Sequence, residues 1–134
     1  MPDKAFFDTN VLIYAALVED RRSTSAEEVL YAGGTISVQI LNEFVSVARR
    51  KFQTPWTDVK AALQGIRILC PDAISLTIGI HEDAVRIAEQ YGYQIYDALI
   101  LASALKANCN VIFSEDLRDG QLIDGKLKIE NPFR

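Results

Sequence analysis

Four acidic residues stand out by where they fall in the chain. Asp8 ends the apolar run Ala5-Phe6-Phe7, and Asp116 comes three residues after Val111-Ile112-Phe113. Asp97 opens the apolar stretch from Ala98 to Leu105, and Glu43 sits among Ile40, Leu41, Phe44, Val45 and Ala48. Taken singly, Asp8 and Asp97 are equally well explained as helix caps, a position that aspartate favours. Gathered in one cleft, the four would repel one another by about 4 kcal/mol per close pair at an effective dielectric of about 20. Such a group persists if some members are protonated or if a cation sits among them. No histidine or cysteine joins the pattern, so the hard oxygen donors select Mg²⁺ or Mn²⁺ over zinc. An ion held there could grip a phosphate, acidify a bound water and stabilise a leaving oxygen, which is the chemistry of phosphodiester hydrolysis.

Short apolar strands alternating with helices would bring the acids together. Ala5 to Phe7 reads as a buried strand, followed by a polar turn at Asp8-Thr9-Asn10 and a buried helix from Val11 to Leu17. A second helix through Glu27 to Tyr31 is expected after a cap at Ser23 or Ser25, ending at Gly33-Gly34. Thr35 to Val38 alternates as a strand does, and Ile40, Leu41, Phe44, Val45 and Ala48 then keep helical spacing. That helix finishes in Arg49-Arg50-Lys51, which suits a helix C-terminus and could also contact RNA.

Thr57 is expected to cap a helix from Val59 to Leu69, with Trp56 in the turn before it covering the core or, alternatively, forming part of a dimer or antitoxin surface. Ala73 to Thr77 reads as a strand, Ile80 to Tyr91 as a helix stopped by Gly92, and Leu122 to Ile129 as a final edge strand with a turn at Asp124-Gly125. Parallel strands need crossovers, so this order implies a mostly parallel sheet of about four or five strands covered on both faces. Strand exits then collect on one edge, where ligands bind in such sheets.

Composition narrows the class. A chain of 134 residues with 49% hydrophobic and 24% charged residues reads as a single domain, 1–134, with a core of its own. Cys70 and Cys109 lack metal or redox spacing and read as reduced core residues, and His81, the only histidine, as a surface group. No leader-like or membrane-spanning run is present, so a cytoplasmic location is expected. The net charge of -4 argues against broad adhesion to nucleic acid, yet a site that holds phosphate through a metal must itself be acidic.

The quartet Asp8, Glu43, Asp97 and Asp116, with Asn10 two residues after the first acid and Ser114 two before the last, resembles the PIN-domain nucleases, and in particular the VapC-type toxins of bacterial toxin–antitoxin pairs. Phe7-Asp8-Thr9-Asn10, Tyr96-Asp97-Ala98 and Phe113-Ser114-Glu115-Asp116-Leu117 are its most specific pieces. The resemblance implies a three-layer α/β/α sandwich and metal ligation by the four acids, directly or through water. It implies that Asn10 and Ser114 hold carboxylates and a ligated water in place, with Thr9 as a further supporting group. Ser114 stands where many members carry threonine and keeps the hydroxyl. An RNA substrate, Mg²⁺ or Mn²⁺, a homodimer and a cognate antitoxin blocking the cleft are further implications.

Other readings are weaker. A phosphotransferase using a D-x-D motif would need a second acid where Asn10 stands, and a receiver domain would keep paired acids after the first strand. No phosphate-binding glycine loop is present. A PIN-like protein that binds RNA or a partner without turnover is the alternative from a different class. Whether Glu115 and Asp119 join the acids is left open by the sequence.

Overall fold

The computed structural model describes residues 3–134. Its elements are β1 (Ala5–Phe7), α1 (Thr9–Ala16), α2 (Ser23–Tyr31), β2 (Ile36–Ser37), α3 (Val38–Arg50), α4 (Trp56–Leu69), β3 (Ala73–Ile74), α5 (Ile78–Tyr91), α6 (Ile95–Lys106), β4 (Val111–Phe113), β5 (Leu122–Ile123) and β6 (Leu127–Glu130). A four-stranded sheet runs β1-β4-β6-β5, with β1, β4 and β6 parallel and β5 antiparallel at the edge. The parallel pair β2-β3 lies beside it, joined through Thr35, whose N–H donates to the Ala5 carbonyl and whose carbonyl accepts from the Phe7 N–H. The fold is therefore mostly parallel, as the alternation of strands and helices requires.

All three residues of β1 are buried, although successive side chains of a strand point to opposite faces. Helices must therefore cover the sheet on both sides. The core continues through Phe6, Phe7, Leu12, Ile36, Ile40, Phe44, Ile87, Leu101, Ile112 and Ile129, each fully enclosed. α6 is apolar on nearly every side and buries Ala98, Ile100, Leu101, Ala102, Ser103 and Ala104. Cys70 and Cys109 are buried free thiols, and His81 is exposed.

Several local expectations are corrected. Thr57 does not cap α4: the helix begins one residue earlier at Trp56, directly after Pro55, whose extended backbone (ψ 145) turns the chain into the first turn without a side-chain cap. Trp56 is 54% exposed and carries the Arg49 guanidinium on its face, so it does not cover the core. Ser23 opens α2 but donates its hydroxyl to the Val18 carbonyl, and neither it nor Ser25 caps the helix. Only Ala73–Ile74 pairs as a strand, because Thr77 leaves the sheet to cap α5 through the Ile80 N–H.

The segment Leu122–Ile129 is a hairpin and not one edge strand. Asp124 and Gly125 both take positive φ (54° and 66°), the geometry of a tight hairpin turn that matches strand twist. The turn sends β6 back between β4 and β5, so β6 is interior.

β1 and the entry to β2 approach closely at Gly34. A Cβ there would stand 2.6 Å from the Phe7 ring and 2.8 Å from the Ala5 carbonyl oxygen. Gly34→Ala is expected to lower unfolding free energy by about 1–3 kcal/mol, the usual range for overpacking. Urea denaturation checks this, and an unchanged midpoint would contradict the close approach.

Candidate active site

The sheet register builds the centre of the site. Phe7 lies opposite Phe113, and the ladder continues one step further as the Asp8 N–H donates to the Phe113 carbonyl. Asp8 and Ser114 thus leave neighbouring strands side by side, and the Ser114 hydroxyl donates to Asp8 Oδ2 at 2.8 Å. The Thr9 N–H donates to Asp8 Oδ1 at 2.7 Å, so Asp8 is the N-cap of α1 as well as a lining residue of the cleft. The two explanations of this acid describe its two oxygens. Asp97 is different: α6 is capped by the Gln94 side chain, which accepts from the Tyr96 N–H, and this leaves the Asp97 carboxylate free of that task.

Asp8, Glu43, Asp97 and Asp116 line a single cleft of about 330 Å³, together with Thr9, Asn10, Ser46, Val47, Arg50, Gln94, Tyr96 and Ile100. Asp8, Glu43 and Asp116 are steered by neutral donors. The Thr9 hydroxyl donates to Glu43 Oε2 at 2.7 Å, and Gln39 Nε2 donates to Glu43 Oε1 at 2.9 Å. Asn10 Nδ2 donates to Asp116 Oδ2 at 2.9 Å. Ser114 also accepts from the N–H groups of Asp116 and Leu117, which folds the loop that presents Asp116.

These donors do not neutralise the charge. Burial pushes the Asp8 carboxyl up to about 6, with Glu43 and Asp116 adding to the rise, while the bonds from Ser114 and Thr9 oppose it. Asp116 is also raised, first by burial and then by Glu115 and Asp97, against the bond from Asn10. The remaining acids are accounted for. Glu115 is held by Arg22, whose Nη1 reaches both of its carboxylate oxygens at 2.8 and 3.0 Å, and Asp119 accepts from the Asn131 N–H. Neither lines the cleft.

Of the three basic residues at the end of α3, only Arg50 lines the cleft. Arg49 packs on Trp56 and donates to the Thr54 carbonyl, and Lys51 lies over Phe52. Gln39, Gln94 and Tyr96 were not singled out as site residues from the sequence. The spacing of four between Gln39 and Glu43, which puts both on one face of α3, is the signal that points to Gln39.

The donor set suits a hard divalent cation, since the cleft offers carboxylate, hydroxyl and amide oxygens and no nitrogen or sulfur ligand. Among the described residues, no three carboxylate, histidine or cysteine side chains already close on one point as a metal cage. The Asp8 and Asp116 carboxyls are raised first by burial and then by neighbouring acids, so close approach of the four as anions is unfavourable in the metal-free protein.

A family model described as PIN domain matches residues 5–121. The chain belongs to the PIN domain family. Solved structures similar to this PIN protein include a toxin–antitoxin complex from Klebsiella pneumoniae, with a TM-score of 0.72 and 23% identity over 96% of this chain and 98% of that one. Mycobacterium tuberculosis VapC20, described as a sarcin-ricin loop cleaving toxin, matches with a TM-score of 0.66 and 20% identity, over 84% of this chain and 92% of its own. VapBC2 from Rickettsia felis, bound to a DNA fragment from its promoter, gives 0.60 and 20%, over 95% and 97%. At these identities the likeness is one of fold. No curated protein matches the sequence significantly.

The raised Asp8 carboxyl gives the metal-free PIN protein a defined pH response. The folded state holds this proton up to about pH 6, whereas the unfolded chain releases it near the ordinary value of 3.8. The Asp8 contribution therefore favours folding at low pH and is lost as pH rises through about 6, a difference of about 3 kcal/mol. In EDTA, the stability of Asp8→Asn relative to the wild type should rise by about that amount between about pH 4 and about pH 7. Chemical denaturation at the two pH values measures it, and a constant difference would contradict the shift.

Proposed function

We propose that this PIN protein is a metal-dependent endoribonuclease that hydrolyses RNA phosphodiester bonds, the toxin of a VapBC-type toxin–antitoxin pair. The observation that carries the reading is the convergence of four carboxylates from four separate segments on one cleft, where Arg50 is the one cationic lining residue among those described. A purely structural role would not gather four acids without a counter-charge, two of which, Asp8 and Asp116, have carboxyls raised first by burial and then by neighbouring acids. Family membership and the toxin and toxin–antitoxin structures of similar fold support the same reading.

Asp8, Glu43, Asp97 and Asp116 would hold Mg²⁺ or Mn²⁺, which supplies Lewis-acid stabilisation of a phosphate and a lowered pKa for an attacking water. The chain's own groups do the rest. Ser114 and the Thr9 N–H fix the two oxygens of Asp8, Thr9 and Gln39 fix those of Glu43, and Asn10 orients Asp116. Arg50 offers a guanidinium to a substrate phosphate at the cleft wall, where neutralising backbone charge positions a nucleic acid without reading its sequence. A cognate antitoxin would cover the same cleft, and the active form would be a cytoplasmic homodimer.

End-labelled structured RNAs, such as a tRNA pool, should be cut into discrete fragments by the purified protein with Mg²⁺ or Mn²⁺ and left intact with EDTA. Asp8→Asn should slow cleavage by more than about a hundredfold, beyond the range typical of groups that only orient a ligand. Arg50→Ala should raise KM more than it lowers kcat. Cleavage that survives EDTA or Asp8→Asn would overturn the assignment. Folded, antitoxin-free protein with no metal-dependent cleavage would favour the reading as a non-catalytic RNA- or partner-binding PIN protein.

A further inference from the structure

Gln39 stands one helical turn before Glu43 on α3 and is 8% exposed. Its amide nitrogen donates to Glu43 Oε1 at 2.9 Å and to the Tyr96 carbonyl oxygen at 3.2 Å. Both N–H groups are thereby used, and both partners are oxygens, of which the Tyr96 carbonyl can only accept. The orientation of the amide is therefore fixed, since the flipped form would set its oxygen against two oxygens. The fixed orientation leaves Gln39 Oε1 buried without a hydrogen-bond partner. Orphaned buried polar atoms are uncommon in folded proteins and call for a reason.

We propose that Gln39 is a positioning residue of the acidic cleft, a neutral strut that aims the Glu43 carboxylate and sets the gap between α3 and the first turn of α6. The carbonyl it grips belongs to Tyr96, whose next residue is Asp97. One side chain thus connects the helix carrying the second acid to the helix carrying the third. A cationic strut would neutralise Glu43, and an acidic one would repel it. A primary amide with two N–H donors spans two acceptors and leaves the carboxylate its charge. The orphaned oxygen follows from that choice, because the acceptor end of the amide must face away from both.

The inference rests on the reading of the cleft as a metal site. Its test is Mn²⁺ binding by the full chain near neutral pH, followed by electron paramagnetic resonance of free Mn²⁺, with RNA cleavage measured in parallel. Gln39→Met preserves length and removes both donors, and Gln39→Asn keeps the amide but draws it back by one methylene. Both should weaken Mn²⁺ binding by about tenfold or more, the scale of orienting groups around metal ligands. Raising Mn²⁺ should restore much of the lost cleavage, and Gln39→Met should lose Mn²⁺ affinity whatever its metal-free melting temperature, since it removes two hydrogen bonds as well as the orphaned oxygen. A lowered metal-free melting temperature with wild-type Mn²⁺ affinity would overturn the proposal in favour of plain packing. Mn²⁺ binding that weakens in the variants while the wild type cuts no RNA would uphold the strut and sink the nuclease reading. Wild-type protein that binds no Mn²⁺ would overturn both.

Discussion

The buried carboxylate of Asp8 is the constraint around which the rest of the cleft is arranged. It lies where β1 and β4 end in register, beneath the first turn of a helix, and is 6% exposed. A carboxylate in that position needs donors, and it receives them only from a hydroxyl and a backbone N–H. Both are neutral. The acid is oriented by dipoles and left without a counter-charge, so its anionic form is disfavoured relative to a free carboxylate and would be favoured by a cation.

The same rule separates the other acids of the neighbourhood into two groups. Glu43 and Asp116 are steered by Thr9, Gln39 and Asn10, all uncharged. Glu115, adjacent to Asp116 in sequence, is instead clasped by Arg22, which also lies over the Tyr14 ring. Asp124 is likewise clasped by Arg86, which holds its carboxyl below the usual range. Here the two acids clasped by arginine, Glu115 and Asp124, lie outside the cleft, whereas Asp8, Glu43 and Asp116 within it have only neutral donors. The distinction is one of chemistry, since a charge-assisted pair spends the carboxylate on its partner and a hydroxyl or amide does not.

Much of this was legible in the sequence because it depends on local pattern. Asp8 and Asp116 follow apolar runs that could only be buried strands, and the alternation of strands and helices dictates a shared edge for their exits. The strong period of α3 places Glu43 on a definite face. What the sequence hid were matters of partnership. That Gln94 caps α6 and frees Asp97 and that Arg49 turns to Trp56 while Arg50 alone faces the cleft depend on which of several nearby side chains takes each partner, and that Gln39 spans two helices depends on distant segments meeting. The turn at Asp124-Gly125 was legible because Asp-Gly suits the left-handed backbone found there, whereas the interior place of β6 was not, since the local pattern does not show which strand pairs with β4.

The interior place of β6 gives the molecule an order of events in time. The Ser114 N–H is bonded to the Glu130 carbonyl, and the Gly120 N–H to the Ile129 carbonyl, so the loop presenting Asp116 is pinned from both ends by the strand made last. A chain still being synthesised, and grown only as far as Asp116, already contains every acid of the cleft. It lacks the strand that fixes the fourth in place, and pairings between residues far apart in sequence form late. The fourth carboxylate of the cleft is therefore held by a strand that follows it in the sequence, which separates supplying this acid from fixing it in place.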